Sequence, residues 1–426
     1  LYLQPDDDVG GNAYEPVLAV GPGDSQHVLY REFVPVGSPV SGRFAIVYGA
    51  CPTDCTVKTH WRFIELDQNA GSSGGNPRLQ IATDGSVHAA WYRETGTLNF
   101  DIVYARCPAD CASSASNWAS TDVRGDLLQG RASGYFKLDP QHRPRLIVDG
   151  LSTAYYLACD GACADPARWQ ATPMLTHSAT LDPAPSHFAL AFTGAGLPRI
   201  AYATQANTTD GTLHYTECNG NCSNPANWTD TPLYRLNIPS FDLAVDPTGR
   251  PRLAFYQGGP GSGLAERLFY GWCDGNCNNA AQWRSADTGA PAEHGSGGVN
   301  VVFDSQGTPW IGYGFRSVQG YLRCTSGCAA SPLWERAVIE TSDDVARTDP
   351  PPFNWQCPDP NHSSFWLLNF PPTLGFNASG KLSAVYNIWN GETCGIFSRT
   401  GPAGLRYAQI GVPGNTPPAI FRDDFE

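Results

Sequence analysis

Methionine, lysine and glutamate are scarce in this chain. Among 426 residues, Met occurs once, Lys three times (Lys58, Lys137 and Lys381), and Glu 11 times against 29 Asp. Helices favour Ala, Leu, Glu, Lys and Met, whereas Asp, Gly and Pro favour turns, and the chain contains 45 Gly and 35 Pro. The composition therefore argues against a helical bundle or an alternating βαβ enzyme. No apolar run approaches the roughly 18 residues of a membrane span, so we expect none.

Positive charge is also in short supply. The formal net charge of −13 argues against a nucleic-acid partner, because phosphate binding needs basic patches. This charge does not exclude a small basic pocket for an anionic ligand. The sequence contains no phosphate loop, haem attachment site or nucleophile elbow, so we expect no cofactor. Residues 1–4 lack the basic and apolar regions of a signal peptide. Because abundant cysteine indicates an oxidising compartment, we expect the mature form of a secreted or cell-surface protein.

Twelve of the 14 cysteines lie in six pairs with one spacing, C-x3-C. A tyrosine precedes every first cysteine by three residues, and a tryptophan follows every second cysteine by six or seven. Six matches at three coupled positions establish an internal repeat. The pairs are Cys51 and Cys55, Cys107 and Cys111, Cys159 and Cys163, Cys218 and Cys222, Cys273 and Cys277, and Cys324 and Cys328. The aromatic residues are Tyr48, Tyr104, Tyr156, Tyr215, Tyr270 and Tyr321, with Trp61, Trp118, Trp169, Trp228, Trp283 and Trp334.

A second shared unit lies upstream of each cysteine block: two strands with period-two apolar residues, joined by a tight turn. There are seven such hairpins, and in the seventh unit Ile410 stands where the first cysteine would be. Units of about 50 residues with four strands, A to D, are typical of a β-propeller. We therefore predict an all-β, seven-bladed β-propeller with four antiparallel strands per blade and a C-x3-C disulfide in six blades. The predicted blades span approximately residues 16–67, 76–124, 133–175, 186–236, 240–287, 298–340 and 371–411.

The last unit lacks a clear strand D of its own. We expect residues 1–4, or alternatively residues 419–426, to supply this strand and close the ring. One propeller domain would then span residues 1–426, with residues 412–426 as its C-terminal tail.

The repeat resembles the secreted seven-bladed propellers of the sialidase-like, Asp-box kind. The local match is Asp304-Ser-Gln-Gly-Thr-Pro-Trp310, and at the level of architecture the resemblance covers the whole chain. It implies the propeller fold. Sialidases use an arginine cluster on six blades; because no counterpart can be aligned here, no sialidase catalytic residue is carried over.

The cysteines allow two interpretations. Paired thiolates could bind zinc, but zinc needs four ligands and no histidine keeps a constant offset from the pairs; we therefore expect short disulfides and no metal. The two remaining cysteines, Cys357 and Cys394, fall on loops that the propeller pattern places on one face. We predict a disulfide between them that holds the long connection of residues 340–372 over the channel mouth. The alternative is that this connection only covers the seam of the ring.

Repeated residues serve the architecture, so a site is expected where the repeat is broken. The position just before the first shared apolar residue of strand A, called here the mouth position, is occupied by Val17, Arg78, Tyr135, Ala189, Asp242, Asn300 and Thr373. Arginine binds carboxylates through two hydrogen bonds, and histidine and tyrosine move protons. We predict His187, Tyr135 and Arg78 as catalytic residues. The predicted substrate-binding residues are Arg131, Lys137, Asp242, His294, Asn300, Trp355 and His362. The alternative is a water-filled channel with a polar lining.

Three functions fit these observations. The first is an enzyme that acts on extracellular polysaccharide. It would be either a lyase on uronic-acid polymers, as in some seven-bladed propellers of lyase families, or a glycoside hydrolase with paired carboxylates, Asp242 with Asp149 or Glu94. The second is a lectin, and the third is a non-catalytic adhesion or surface-assembly module. Because the mouth differs from blade to blade, we expect one asymmetric site for an extracellular glycan or a cell-surface partner. The sequence does not decide whether the ligand is cleaved, nor does it decide the oligomeric state.

Overall fold

The computed structural model describes residues 12–36, 38–70, 76–96, 99–123, 127, 134–150, 152–176, 187–207, 210–236, 240–259, 264–291, 299–315, 317–348, 363–368, 371–394 and 397–411. Within these ranges the chain forms 28 β-strands arranged as seven antiparallel blades of four strands each. The predicted all-β, seven-bladed propeller is therefore confirmed. No helix in the described part of the chain has the length and apolar character needed to cross a membrane.

The strands follow the repeat in chain order. Blade 1 contains β1 (Asn12–Val20), β2 (Gln26–Val36), β3 (Ser38–Cys51) and β4 (Arg62–Ala70); blade 2 contains β5 (Arg78–Ile81), β6 (Val87–Gly96), β7 (Asn99–Cys107) and β8 (Ala119–Val123). Blade 3 contains β9 (Gly134–Leu138), β10 (Pro144–Asp149), β11 (Thr153–Ala158) and β12 (Gln170–Thr176); blade 4 contains β13 (His187–Phe192), β14 (Pro198–Asn207), β15 (Asp210–Cys218) and β16 (Trp228–Leu236). Blade 5 contains β17 (Phe241–Val245), β18 (Pro251–Gly259), β19 (Leu264–Trp272) and β20 (Arg284–Pro291); blade 6 contains β21 (Asn300–Phe303), β22 (Pro309–Phe315), β23 (Val318–Ser326) and β24 (Leu333–Thr341).

The seventh blade departs from this order. It contains β25 (Ser363–Leu367), β26 (Thr373–Phe376), β27 (Leu382–Cys394) and β28 (Phe397–Ile410), and it is preceded by the helix α1 (Ser342–Thr348). The long strand β27 pairs with β26 near its beginning and with β25 near its end. The sequence shows no strand pattern in the connection of residues 340–372, so strand β25 was not predicted. The segments proposed to complete this blade, residues 1–4 and 419–426, lie outside the described residues.

The innermost strands of the seven blades surround a common axis. Each contacts the innermost strand of the next blade, and β26 of blade 7 contacts β1 of blade 1. Hydrogen bonds also join these two blades, since the Thr373 hydroxyl donates to the Pro16 carbonyl at 3.0 Å. The starts of the seven innermost strands therefore come together at one mouth.

Aromatic residues of neighbouring blades hold the outer part of the fold together. The repeated tyrosine of blades 1 to 5, and Tyr407 at the equivalent position of blade 7, packs against the repeated tryptophan of the next blade, as expected of residues that serve the architecture. Tyr321 of blade 6 instead packs against Trp310 of its own blade. The ring centroids are 4.9–5.3 Å apart in Tyr48–Trp118, Tyr104–Trp169, Tyr156–Trp228, Tyr215–Trp283, Tyr270–Trp334 and Tyr407–Trp61. The last pair joins blade 7 to blade 1. Such pairs add to the free energy of burying the rings, by about 0.5–1.5 kcal/mol each.

The six predicted C-x3-C disulfides are present, so the disulfide interpretation of these pairs is confirmed. The bonds join Cys51 to Cys55, Cys107 to Cys111, Cys159 to Cys163, Cys218 to Cys222, Cys273 to Cys277 and Cys324 to Cys328, with Cα atoms 5.6–6.0 Å apart. In five blades a short 3-10 turn follows the second cysteine, and the indole Nε1 of the repeated tryptophan donates to that cysteine's carbonyl at 2.8–3.1 Å. Each short bridge therefore fixes the turn that carries the repeated tryptophan to its neighbour.

The other two cysteines are described only in part. Cys394, at the end of β27, is disulfide-bonded. Cys357 lies outside the described residues, so the bridge between these two cysteines stays a prediction.

The turn between strands A and B has the form expected from the Asp-box resemblance. In blade 6, Asp304 Oδ1 accepts hydrogen bonds from the backbone N–H groups of Gln306 and Thr308, and its Oδ2 accepts one from Trp310 Nε1. Gly307 has a φ of +78°, a left-handed conformation that glycine adopts without strain. These turns lie at the end of the channel opposite the mouth.

Candidate functional site

The mouth positions occupy one level of the propeller. Each pairs with the residue at the same place on strand B of its own blade, so the register is equivalent around the axis. The pairs are Val17–Leu29, Arg78–Ala90, Tyr135–Ile147, Ala189–Ala201, Asp242–Ala254, Asn300–Gly312 and Thr373–Val385. Because equivalent strands surround one axis, the predicted residues Arg78, Tyr135, Asp242 and Asn300 meet at the same depth.

Arg78 is a partly buried arginine without a carboxylate partner among the described residues. Its Cζ atom lies 4.7 Å from the centroid of the Tyr135 ring on the next blade, a cation–π contact. One Nη atom donates to the Pro77 carbonyl at 3.0 Å, whereas Nε is buried without any described hydrogen-bond partner. Tyr135 thus contacts the guanidinium, and no described carboxylate neutralises its charge.

The arginines that are buried within the described ranges have carboxylate partners. Arg145 donates to the Cys159 carbonyl at 2.8 Å and lies 2.7 Å from Asp139. Arg252 donates to the Cys273 carbonyl at 2.8 Å and lies 2.6 Å from Asp246. These two arginines join strands at the disulfide end of the blades. Arg78 at the mouth differs from them in having no described carboxylate partner, although removing a guanidinium from water without an anion is costly. Arg323, at the disulfide end of blade 6, shares this feature: it lies over the Trp310 ring with its Nε buried.

Lys137 lies two residues after Tyr135 on β9, so both side chains share one face of the strand. It is partly exposed and forms no ion pair with a described carboxylate. Burial lowers the pKa of the Lys137 ammonium group, and the negative charge of Asp242 opposes that shift. On β13, in the blade between those of Lys137 and Asp242, Ala189 and Ala191 lie two residues apart, and both are buried.

Asp242, Asn300 and Thr373 join neighbouring blades. Asp242 Oδ2 accepts hydrogen bonds from Asn300 Nδ2 at 3.2 Å and from Val301 N at 2.9 Å. Asn300 Oδ1 accepts one from Leu374 N at 2.9 Å. Burial raises the pKa of Asp242, against the hydrogen bond from Val301 and the charges of Lys137 and Arg78. These bonds fix the height of the innermost strands relative to one another.

Two tyrosines at the mouth keep their protons at neutral pH. Burial raises the pKa of Tyr135 and Tyr92, and the charges of Asp242 and Asp149 raise them further, whereas Arg78 acts in the opposite direction. Tyr92 lies on strand B of blade 2, two residues after Ala90, which pairs with Arg78. Tyr92 was not predicted as a site residue, although it occupies the place on strand B that Asp149 occupies in blade 3.

The remaining predicted site residues cannot be placed around this cluster. His187 lies on β13 in register with Ala203, two residues before the mouth position, but its side chain lies outside the described part of the structure. Arg131, His294, Trp355 and His362 also lie outside the described residues. Among the described side chains, no group of three or more His, Cys, Asp or Glu could hold a metal ion.

Comparison with known proteins reveals a shared fold. No protein-family model and no curated protein matches the chain in sequence. Among solved structures, an ulvan lyase of a new polysaccharide lyase family, bound to -[GlcA(1-4)Rha3S]-, aligns with a TM-score of 0.56 and 10% identity over 96% of this chain and 95% of that one. A protein of unknown function from Dyadobacter fermentans aligns with a TM-score of 0.49 and 9% identity over 96% of both chains. The alpha-L-arabinanase of Penicillium chrysogenum aligns with a TM-score of 0.46 and 13% identity over 80% of this chain and 97% of that one.

Proposed function

We propose that this protein is a secreted carbohydrate-active propeller that binds an acidic polysaccharide at the channel mouth and cleaves it by β-elimination. The observation that carries this proposal is the guanidinium of Arg78, which lies over the Tyr135 ring at 4.7 Å and has no carboxylate partner among the described residues. In a chain with a net charge of −13, a cation that no described carboxylate neutralises is suited to an anionic ligand.

The chemistry of a uronic-acid polymer matches this arrangement. A guanidinium that binds the uronate carboxylate through two hydrogen bonds withdraws charge from it and makes the proton on the adjacent carbon easier to remove. Tyr135 retains its phenol proton, because burial raises its pKa, and can donate that proton to the leaving glycosidic oxygen. The fold is shared with an ulvan lyase, which supports the proposal at the level of architecture.

A panel of uronic-acid polysaccharides tests the proposed lyase activity. Incubation with the protein should produce unsaturated sugars, measured by their ultraviolet absorbance. Arg78→Ala should lower kcat/KM by about 100-fold or more, the loss typical of a group that stabilises charge in the transition state. The matched control is Arg323→Ala, since Arg323 also lies over an aromatic ring, that of Trp310 at 5.3 Å, but at the opposite end of the blade.

The results of these assays distinguish a lyase from a lectin and from an effect of Arg78 on stability alone. If wild-type protein leaves the absorbance flat with every polymer, the lyase proposal is wrong. Binding to the same polymers without cleavage would favour the lectin function instead. An equal loss in both arginine variants would show that Arg78 acts only through stability.

A further inference from the structure

Lys137 differs in position from the other two lysines of the chain. Lys58 lies in the short turn after the second cysteine of blade 1, and Lys381 is exposed beside the turn between β26 and β27. Lys137 instead lies on β9, the innermost strand of blade 3. A lysine that faces a confined channel can serve as a base only if a substrate reaches it, so its neighbours decide what it can do.

Those neighbours include the two residues proposed to act on the substrate. Tyr135 is two residues away on the same face of β9, about 7 Å along the strand, and Arg78 Cζ lies 4.7 Å from the centroid of the Tyr135 ring. On β13, the next innermost strand, Ala189 and Ala191 are small and buried, and Tyr135 packs against the cluster that contains them. A sugar whose carboxylate binds Arg78 would therefore lie on the strand face that carries the phenol and the amine.

Charged groups face Lys137 from several strands. On β10, Arg145 pairs with Lys137 in the register, and its guanidinium is bound to Asp139 and Asp160. On β17, Asp242 is the group of opposite charge that acts on Lys137, and its carboxylate accepts hydrogen bonds from Asn300 and Val301. Arg78 lies on β5, and β13 carries His187, whose side chain lies outside the described residues.

We propose that Lys137 is the base of the elimination, a role that rests on the proposed function. Its neutral amine takes the proton from the carbon next to the carboxylate, and the electrons of that C–H bond form the new C=C bond. The C–O bond to the leaving sugar breaks, and the oxygen receives the phenol proton of Tyr135. The Lys137 ammonium then returns a proton to the tyrosinate, so that no other reactant is needed. Burial, which lowers the pKa of Lys137 and raises that of Tyr135, suits these opposite roles.

A titration tests the lysine without any substrate. With only three lysines, protein labelled with carbon-13 at lysine Cε gives three resonances, and Lys137→Arg identifies the one of interest. We expect the Lys137 resonance to change at a lower pH than those of Lys58 and Lys381. A midpoint equal to theirs or higher would overturn the assignment, whatever the outcome of the activity assay.

Two substitutions at Lys137 distinguish two roles for this residue, the base of the elimination and a cation that binds the anionic substrate. Lys137→Met and Lys137→Arg should both lower kcat by about 100-fold or more, because neither side chain can accept the proton. Equilibrium binding of the polymer should change far less. Lys58→Met is the matched control and should retain full activity. If Lys137→Arg remains active, the residue binds the substrate's charge and is not the base, while the proposed lyase function would still stand.

Discussion

The ring of Tyr407 lies 5.3 Å from that of Trp61, so the repeated aromatic contact continues from the last blade to the first. Both side chains are almost fully buried. In the sequence they are separated by nearly the whole chain, yet their contact is equivalent to those between consecutive blades. The junction between the first and last blades therefore depends on the same packing as the interfaces between consecutive blades from 1 to 6.

Removing this contact should destabilise the whole propeller. Trp61→Ala should lower the free energy of unfolding by about 3–5 kcal/mol, the usual loss when a large core aromatic residue is truncated. Trp169→Ala, in the equivalent pair with Tyr104, should cost a similar amount in urea unfolding. Leu333→Ala is the control, since Leu333 is 63% exposed and should change stability by only about 0.5 kcal/mol. A Trp61→Ala protein as stable as this control would show that the first and last blades are not held in this way.

One buried histidine, His88, and one partly buried histidine, His27, should make stability depend on pH. Burial lowers the pKa of His27 and His88 from 6.5 to about 4, and each ring shares a hydrogen bond of 2.6–2.7 Å with the repeated tyrosine of its blade. Below pH 6.5 the unfolded chain gains protons that the folded chain does not. The contribution of each histidine is therefore complete above pH 6.5 and lost as the pH falls to about 4, by up to about 3 kcal/mol.

Urea unfolding between pH 7.5 and pH 4 checks this expectation. The double variant His27→Gln/His88→Gln should show a flatter dependence than the wild type, because carboxylates titrate alike in both proteins. His60→Gln, at an exposed position, should follow the wild type. Parallel curves for the double variant and the wild type would contradict the account.

A third prediction concerns Asp242. It distinguishes the contribution of its hydrogen bonds to stability from the contribution of its charge. Asp242→Ala leaves the N–H group of Val301 without its acceptor and should lower the free energy of unfolding by about 1–3 kcal/mol. Asp242→Asn keeps an acceptor for that N–H and should lose less. Thermal denaturation of both variants measures the difference. Equal losses would mean that the carboxylate charge, and not the bond to blade 6, stabilises the junction.

The sequence predicts the architecture of this protein far better than its site. Blade number, the six disulfides and the Tyr–Trp contacts follow from residues that recur in every repeat, such as Tyr104 and Trp169. Strand β25 was missed, because its short segment pairs with the extended end of β27, and nothing in the local pattern indicates that length. Closure of the ring by residues 1–4 or 419–426 stays a prediction.

At the mouth, alignment of the repeats brought Arg78, Tyr135 and Asp242 to one level but could not assign their bonds. Asn300 accepts a hydrogen bond from Leu374 of the next blade, and this contact depends on how two blades are placed in space. Conversely, the sequence could not show that Arg78 lacks a carboxylate partner among the described residues. The roles of His187, Arg131, His294, Trp355 and His362 stay predictions.

The most direct measurement of the central claim compares two ligands that differ only in charge. A uronic-acid oligosaccharide and its carboxyl-reduced, neutral counterpart are titrated into wild-type, Arg78→Ala and Arg323→Ala protein by calorimetry. We expect that the wild type prefers the acidic ligand, that Arg78→Ala loses about 10-fold or more of that affinity, and that Arg323→Ala does not. Equal affinity of the wild type for both ligands, or an unchanged preference in Arg78→Ala, would contradict it.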